Sequence, residues 1–217
     1  MAPAFKLQLP YTYSQVLTML VTACRAEVNF RGRQFRLTDN FRHRLSEIAG
    51  WLTDNGSHRG LYICGNVGNG KSTIICALQR LVQYLNGSVC QSLSASSPRR
   101  GFAVVSAKDL VKLAKIASQK SASDSDEAAR YDYLRDCEVL AIDDLGKEPR
   151  ESMYYGDFVT AAIDIVEHRY NRLLCTLVTS NLAPDEISDY YDERTADRFR
   201  ETMRVINFGN EPSFRRM

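Results

Sequence analysis

The sequence predicts an α/β fold, in which a mostly parallel sheet of five strands is flanked by helices. Short apolar runs alternate with stretches of helical periodicity, which is typical of a parallel sheet with helices on both faces. A glycine-rich loop also stands between the first apolar run and a helix, as in a phosphate-binding loop. The predicted strands are 61–64, 102–106, 138–143, 174–180 and 204–208.

The length and charge of the chain limit its possible functions. A chain of 217 residues can form one sizeable α/β domain with a small appendage. The 28 basic and 26 acidic side chains give a net charge of only +2, so the chain as a whole carries no polyanion-binding signal. Any surface for nucleic acid must therefore be local.

The cysteines and the apolar runs predict a cytoplasmic protein. The six cysteines contain no C-x-x-C pair and most stand in apolar runs, which predicts buried thiols in a reducing compartment and argues against disulfides or a zinc site. No apolar stretch approaches the roughly 20 residues that span a membrane. The first residues lack the apolar core of a signal peptide.

Two parts of the chain differ in character, an N-terminal segment at 1–55 and a larger domain at 56–217 that holds the sheet. Apolar side chains recur at helical spacing over 14–28 and 41–52, which predicts two helices. Arginines make the segment locally basic, so it could bind a partner or DNA, or simply pack against the domain.

The ends of these two helices carry capping signals. Thr12 and Gln15 have the spacing of a capping box, and Asp39 is a candidate N-cap for the second helix. Between the helices, residues 29–37 alternate in polarity around Gly32, which predicts a small hairpin.

A complete G-x-x-x-x-G-K-[ST] motif, the phosphate loop, assigns nucleoside triphosphate binding to the larger domain. Glycines let backbone N–H groups approach phosphate oxygens, Lys71 can reach the β- and γ-phosphates, and the Ser72 hydroxyl can ligate Mg²⁺. The helix that follows adds a favourable dipole. The predicted nucleotide contacts are Gly65, Asn66, Val67, Gly68, Asn69, Gly70, Lys71, Ser72 and Thr73.

Polar residues end the next two predicted strands of the site. Asp143 and Asp144 close an apolar run, and a parallel strand delivers such carboxylates to the sheet edge beside the phosphate loop. We expect Asp143 to hold Mg²⁺ and Asp144 to orient the attacking water. Asn181 ends another β-rich run and could reach the γ-phosphate or this water, although such an ending is also common at a turn.

Arginines cluster in a predicted helix at 192–200. Arg194 and Arg198 are four residues apart and share a face, so they could stabilise charge on a transferred phosphate. Ion pairs on a solvated face would explain the same pattern.

A local nucleic-acid surface is predicted from lysines after the second strand. Lys108, Lys112 and Lys115 fall on one helical face, opposite apolar residues, and such a stripe would follow phosphates without reading sequence. A lysine-rich solvated face is the alternative. Lys147, Arg150 and Tyr154 follow the acidic motif and add charge with a possible stacking platform.

Taken together, the motifs resemble those of AAA+ ATPases with a P-loop NTPase core, and specifically of the DnaC/DnaI-type helicase loaders. The similarity covers roughly 41–216, and the IstB transposition helpers and DnaA initiators have a related core. The strings that carry the resemblance are GNVGNGKS at 65–72, VLAIDDLG at 139–146, TLVTSN at 176–181, DERTADRFRE at 192–201 and SFRR at 213–216.

This resemblance implies roles for individual residues. Asn181 takes the sensor-I position, and Arg198 looks like an arginine finger supplied in trans, with Arg194 nearby in the same motif. Arg215 looks like the sensor-II arginine that closes over nucleotide. Asp144 stands where many AAA+ enzymes have glutamate, so we expect slow ATP hydrolysis. A finger supplied in trans implies that hydrolysis also requires a second subunit.

Three functions fit the resemblance. The first is a loader that uses ATP and Mg²⁺ to control association with a replicative DNA helicase and single-stranded DNA. The second is an IstB-like helper of transposition, with a transposase partner and duplex DNA. The third is a non-catalytic, nucleotide-dependent adaptor. The segment 1–55 departs most from the family pattern, so the partner is the least determined of these expectations.

Overall fold

A computed structural model describes most of the chain, namely residues 6–85, 101–119, 125–148, 153–154, 157–158, 161–209 and 213–214. Its α-helices are α1 (Tyr13–Phe30), α2 (Asp39–Thr53), α3 (Lys71–Tyr84), α4 (Ala107–Ala117), α5 (Asp126–Asp136), α6 (Ala161–Asn171), α7 (Glu186–Tyr190) and α8 (Glu193–Thr202). Its strands are β1 (Gly60–Cys64), β2 (Ala103–Ser106), β3 (Val139–Leu145), β4 (Met153–Tyr154), β5 (Asp157–Phe158), β6 (Cys175–Ser180) and β7 (Met203–Asn207).

The predicted α/β fold is confirmed. A five-stranded sheet has the order β2-β3-β6-β1-β7, and every pairing within it is parallel. Each of its strands lies within two residues of a predicted one. The strands β4 and β5, which the sequence did not predict, form a separate antiparallel pair.

Apolar layers cover both faces of the sheet. On one face, side chains of β1, β3 and β6 pack against α1, α2 and α3. On the other face, alternate side chains of the same strands pack against α4, α6 and α8. Burial on both faces explains why these strands appear in the sequence as nearly continuous apolar runs.

The N-terminal segment belongs to the same packing. Leu20, Cys24 and Leu45 from α1 and α2 are fully buried in one cluster with Leu61 of β1 and Ile74 of α3. Helices α1 and α2 therefore complete one layer of the core. A separate function for 1–55 stays a prediction.

Three details of this segment compare directly with the sequence. The capping box of α1 is present, with Gln15 N–H donating to the Thr12 hydroxyl and the Gln15 side chain accepting from Thr12 N–H. The N-cap of α2 is Thr38 rather than Asp39, which lies in the first turn. The Thr38 hydroxyl accepts from the N–H of Phe41 at 3.1 Å, so the cap stands one residue earlier than predicted.

The predicted hairpin around Gly32 is wrong. Helix α1 continues to Phe30, Gly32 closes its end with φ = 67°, and residues 33–38 form neither helix nor strand. A lone alternating run without a third strand has little to stabilise it. Here Phe35 instead packs against Phe41, with ring centroids 6.2 Å apart.

A buried arginine holds the N-terminal ends of two central strands. Arg169 of α6 is fully buried and donates hydrogen bonds to the carbonyl oxygens of Cys137 and Cys175, both at 2.7 Å. It also donates to the Thr176 hydroxyl at 2.9 Å. These bonds hold the starts of β3 and β6 side by side, which aligns their carboxyl ends at the opposite edge.

None of the helices in the described part of the chain has the length and hydropathy needed to cross a bilayer.

Candidate functional site

The phosphate loop (65–72) connects β1 to α3, as predicted from the motif. Gly65 has φ = 135°, and a Cβ there would lie 2.7 Å from Asn69 Nδ2 and 2.8 Å from Phe208 Cβ. Gly70, the N-cap of α3, has φ = 96°, and a Cβ there would meet the Phe41 ring at 2.9 Å. Both positions therefore require glycine on grounds of conformation and space.

Lys71 lies at the centre of this loop. It is 5% exposed, and its ammonium donates to the carbonyl oxygen of Asn66 at 2.8 Å and to Asn181 Oδ1 at 3.1 Å. Burial lowers the pKa of Lys71 to about 8, an effect that Asp144 opposes and Lys147 reinforces. The loop thus presents a desolvated cation held by neutral oxygen atoms, and an anionic ligand would complete its charge balance.

A network of hydrogen bonds centres on Asp143. The hydroxyl of Ser72 donates to Asp143 Oδ1 at 2.9 Å, and the hydroxyl of Thr179 donates to the same oxygen. Thr179 also accepts from the N–H of Asp144 at 2.9 Å. The hydroxyl and the carboxylate supply the hard oxygen ligands that Mg²⁺ prefers, so Ser72 and Asp143 fit the ion that the motif implies.

Thr179 is a site residue that the sequence analysis missed. Its hydroxyl links both carboxyl-bearing residues of β3 to β6, although the residue stands inside a fully buried strand. The available signal was a hydroxyl residue within an apolar run, two positions before Asn181.

Asp144 departs from regular strand geometry. Its φ is 61°, and the pairing of β3 with β6 shifts register between Ile142 and Leu145. Its carboxylate lies 2.8 Å from the ammonium of Lys147, and both side chains line the cavity described next. The predicted water-orienting carboxylate is therefore beside the phosphate loop and already paired with a cation.

A cavity of about 420 Å³ joins these groups. The structure brings together Lys71, Ser72, Asp144 and Asn181 on its wall, and Asp143 contacts Ser72 directly. This volume lies within the range of small-molecule and cofactor sites. The predicted loop residues on the wall are Val67, Gly68, Asn69, Gly70, Lys71, Ser72 and Thr73.

One wall of the cavity comes from the N-terminal segment, which the sequence analysis did not place in the site. The wall residues are Val28, Arg31, Arg33, Gln34, Phe35, Arg36 and Phe41. Phe214, from the string SFRR, lies on the same wall, and its N–H donates to the carbonyl oxygen of Gly68 at 3.0 Å. Basic and aromatic side chains at this end suit the ribose and base of a nucleotide. The mixture of arginine and phenylalanine at 30–36 was the signal available in the sequence.

A buried glutamate ties this wall to the helix of the phosphate loop. Glu27 of α1 is 2% exposed and pairs with Arg31 at 2.7 Å and with Arg80 of α3 at 2.9 Å. Arg31 in turn lines the cavity. The end of α1, the cavity and α3 therefore share one cluster of charges.

Arg198, predicted to act in trans, and Arg194 of the same motif lie outside the cavity wall. Arg198 is 7% exposed, contacts Glu167 and lies over the Tyr170 ring, 5.0 Å from its centroid. The side chain of Arg194 is 72% exposed, with its Nε 3.7 Å from Glu167. They share one face of α8, as the spacing predicted, and Arg194 is the more accessible. Arg215 lies outside the described residues.

The predicted DNA-binding residues fall into separate places. Lys108 and Lys112 are exposed on α4 and Lys115 is half-buried, while Leu110 and Leu113 on the other face are buried. Lys147 lines the cavity. Arg150 and the side chain of Tyr154 lie outside the described part of the chain, although the Tyr154 backbone belongs to β4.

Comparison with known proteins identifies the fold. No family model and no curated protein matches the chain. Among solved structures, DnaI matches 86% of this chain and 92% of its own at 21% identity and a TM-score of 0.56. The DnaC helicase loader matches 80% of this chain and 92% of its own at 15% identity and a TM-score of 0.55.

A third solved structure carries ligands. The replication initiator DnaA bound to AMPPCP and single-stranded DNA matches 80% of this chain and 47% of its own, at 16% identity and a TM-score of 0.51. The predicted resemblance is thus confirmed as a shared fold: the chain has an α/β fold similar to those of DnaC and DnaI.

Proposed function

We propose that this chain is an ATP-dependent DNA replication protein of the helicase-loader type, which binds ATP and hydrolyses it slowly. The observation that carries the proposal is the convergence of Lys71, Ser72, Asp144 and Asn181 on one cavity, with Asp143 bonded to Ser72. The fold shared with DnaC and DnaI supports the assignment to replication.

Each residue of the site has a distinct task in the proposed reaction. Lys71 and the N–H groups of the phosphate loop bind the β- and γ-phosphates. Ser72 and Asp143 would hold Mg²⁺, which neutralises charge on the phosphates when bound. Asp144 orients the water that attacks the γ-phosphorus, and the bond to the leaving ADP oxygen breaks. Asn181, in contact with Lys71, keeps the ammonium directed at the phosphates.

The packing of the N-terminal segment supports a switch. The segment supplies a wall of the cavity, and Glu27 connects its helix to α3 through Arg80. A bound nucleotide would contact Arg31, Arg33 or Arg36 as well as the phosphate loop. The position of α1 would therefore depend on nucleotide, as a segment that docks a partner under ATP control requires.

The phosphate-loop assignment is tested with Lys71→Ala. We expect loss of measurable ATP binding, because the variant removes the cation that faces the phosphates and leaves the loop carbonyls without their donor. Fluorescent-nucleotide titration measures affinity, and thermal unfolding checks that the variant still folds. Arg172→Ala, which removes an exposed cation from outside the site, serves as the control. Unchanged affinity in a folded Lys71→Ala protein would overturn the assignment.

We propose further that α8 completes a neighbour's site. Arg194 is exposed enough to do so directly, whereas Arg198 would first have to leave Glu167. For Arg194→Ala and Arg198→Ala we expect ATP binding to persist and hydrolysis to fall by about 100-fold or more, since trans arginines contribute roughly 10³–10⁵ in GTPases. Wild-type specific activity should rise with protein concentration. Concentration-independent activity, or full activity in both variants, would exclude a trans arginine.

The lysines of α4, of which Lys108 and Lys112 are exposed, are the proposed contact for single-stranded DNA, a ligand that the similar DnaA structure contains. Replacing Lys108, Lys112 and Lys115 with alanine should flatten the plot of log affinity against log salt by about 2, because each single-strand phosphate contact contributes roughly 0.7 to the slope. A variant that removes the same charge from other exposed positions carries alanine at Arg130, Arg172 and Arg200. Equal slopes for the two variants would assign the stripe to a solvated face.

The partner distinguishes the loader from its alternatives. Tagged full-length protein is recovered from host lysate with ATP and with ADP, and bound proteins are identified by mass spectrometry, with Lys71→Ala as the control. We expect nucleotide-dependent recovery of the replicative helicase. Recovery of a transposase would instead assign the chain to an IstB-like helper. The non-catalytic, nucleotide-dependent adaptor predicts instead that Arg198→Ala leaves partner recovery and every other activity unchanged.

A further inference from the structure

Lys147 is a charged residue of the cavity wall to which the proposed reaction gives no task. Its ammonium lies 2.8 Å from Asp144 Oδ1, and its side chain is 46% exposed. It lies on the cavity wall together with Lys71 and Asn181. A second cation therefore faces the region where the phosphates of a nucleotide would lie.

The backbone around Lys147 is firmly held. The N–H of Gly146 donates to Glu148 Oε2 at 2.8 Å, and the Gly146 carbonyl oxygen accepts from the Tyr190 hydroxyl at 2.8 Å. Glu148 is 7% exposed and also accepts from the Tyr191 hydroxyl. Because both flanking residues are fixed to α7 and its C-terminal end, a change of partner by Lys147 requires only side-chain rotation.

Another lysine–aspartate pair has the same spacing as Lys147 and Asp144 but lies in a different environment. Lys112 and Asp109 on α4 are also three residues apart, with the ammonium 3.1 Å from the carboxylate. Their side chains are 62% and 59% exposed, against 46% and 36% for Lys147 and Asp144. Of the two pairs, Lys147 and Asp144 line the cavity, where a polyanionic ligand would compete for the lysine, and Lys112 and Asp109 do not.

We propose that Lys147 is a second phosphate-binding residue, whose ammonium exchanges between Asp144 and the terminal phosphate of a bound nucleoside triphosphate. This inference rests on the proposed function and deepens it. A terminal phosphate carries more negative charge than a carboxylate, and the flexible lysine stem can follow it. A diphosphate lacks that terminal group and leaves the pair with Asp144 in place.

The exchange has a consequence for hydrolysis. While Lys147 pairs with Asp144, the carboxylate is a poor acceptor for the hydrogen of an attacking water. When the γ-phosphate takes the ammonium, Asp144 becomes free to orient that water. Lys147 is thus a positioning residue, because Asp144 can orient the water only when a triphosphate is bound. The same contact gives the site a preference for ATP over ADP.

The test measures affinity for AMPPCP and for ADP by isothermal titration calorimetry, with Mg²⁺, in wild-type protein and in Lys147→Ala and Lys147→Arg. We expect Lys147→Ala to bind AMPPCP roughly tenfold or more weakly and ADP within about twofold of wild type, because a charge-assisted contact to the terminal phosphate is lost. Lys147→Arg should retain most of the preference for the triphosphate. Arg172→Ala again controls for the loss of one exposed cation.

Any other result of these titrations would contradict the proposed role of Lys147. Equal weakening of AMPPCP and ADP would place the effect of Lys147 on the phosphates that both share, and unchanged affinities would leave it a surface ion pair. Either result leaves nucleotide binding itself intact. Wild-type protein that binds neither nucleotide would instead overturn the proposed function.

A variant of the partner carboxylate tests the exchange from the other side. Asp144→Asn keeps the shape of the side chain and removes its charge, so Lys147 no longer has to leave an acid to reach the phosphate. We expect AMPPCP to bind a few-fold more tightly than to wild type, with ADP affinity almost unchanged. Affinity for AMPPCP that does not rise would contradict competition between Asp144 and the phosphate for Lys147.

Discussion

The candidate site depends on the hydrogen bonds that Asp143 accepts from Ser72 and Thr179. These bonds connect three elements that are distant in sequence: the start of α3, the end of β3 and the end of β6. The parallel register makes the connection possible, since Ala141 and Ile142 pair with Leu177 and Val178 one step before the polar residues begin. If the strands slipped by one residue, the two polar ends would no longer meet and the partly buried carboxylate of Asp143 would lose its donors.

Much of this architecture was predictable because the signals are local. The five strands appear as apolar runs, the phosphate loop has fixed spacing, and Asp143 ends a strand that must terminate at the sheet edge. Contacts that depend on long-range packing were not predictable. The wall formed by Arg33 and Phe35 required α1 to pack against α3, and the placement of Lys147 beside Asp144 required an irregularity in β3. The hairpin prediction failed for the same reason, because the packing of Phe35 on Phe41 outweighs a short alternating pattern.

Two cations of the cavity wall are only partly balanced by acidic side chains. Lys71 is held by carbonyl and amide oxygens, while Arg31 shares the buried Glu27 with Arg80. Such partly compensated cations keep a strong attraction for phosphate. Glu27 lies on α1, which covers this face of the core. Movement of Arg31 toward a ligand would therefore weaken its ion pair with this helix.

The backbone conformation at Asp144 explains why this position carries aspartate rather than glutamate. Its φ of 61° lies in the left-handed region, which costs most residues on the order of 1 kcal/mol but which aspartate tolerates better than longer side chains do. The hydrogen bond from its N–H to Thr179 and the register shift in β3 hold it there. This turn redirects the carboxylate toward Lys147 and the cavity, as irregularities at strand ends often do beside functional sites. A glutamate would fit the left-handed position less well, so the shorter acid follows from the conformation that aims it.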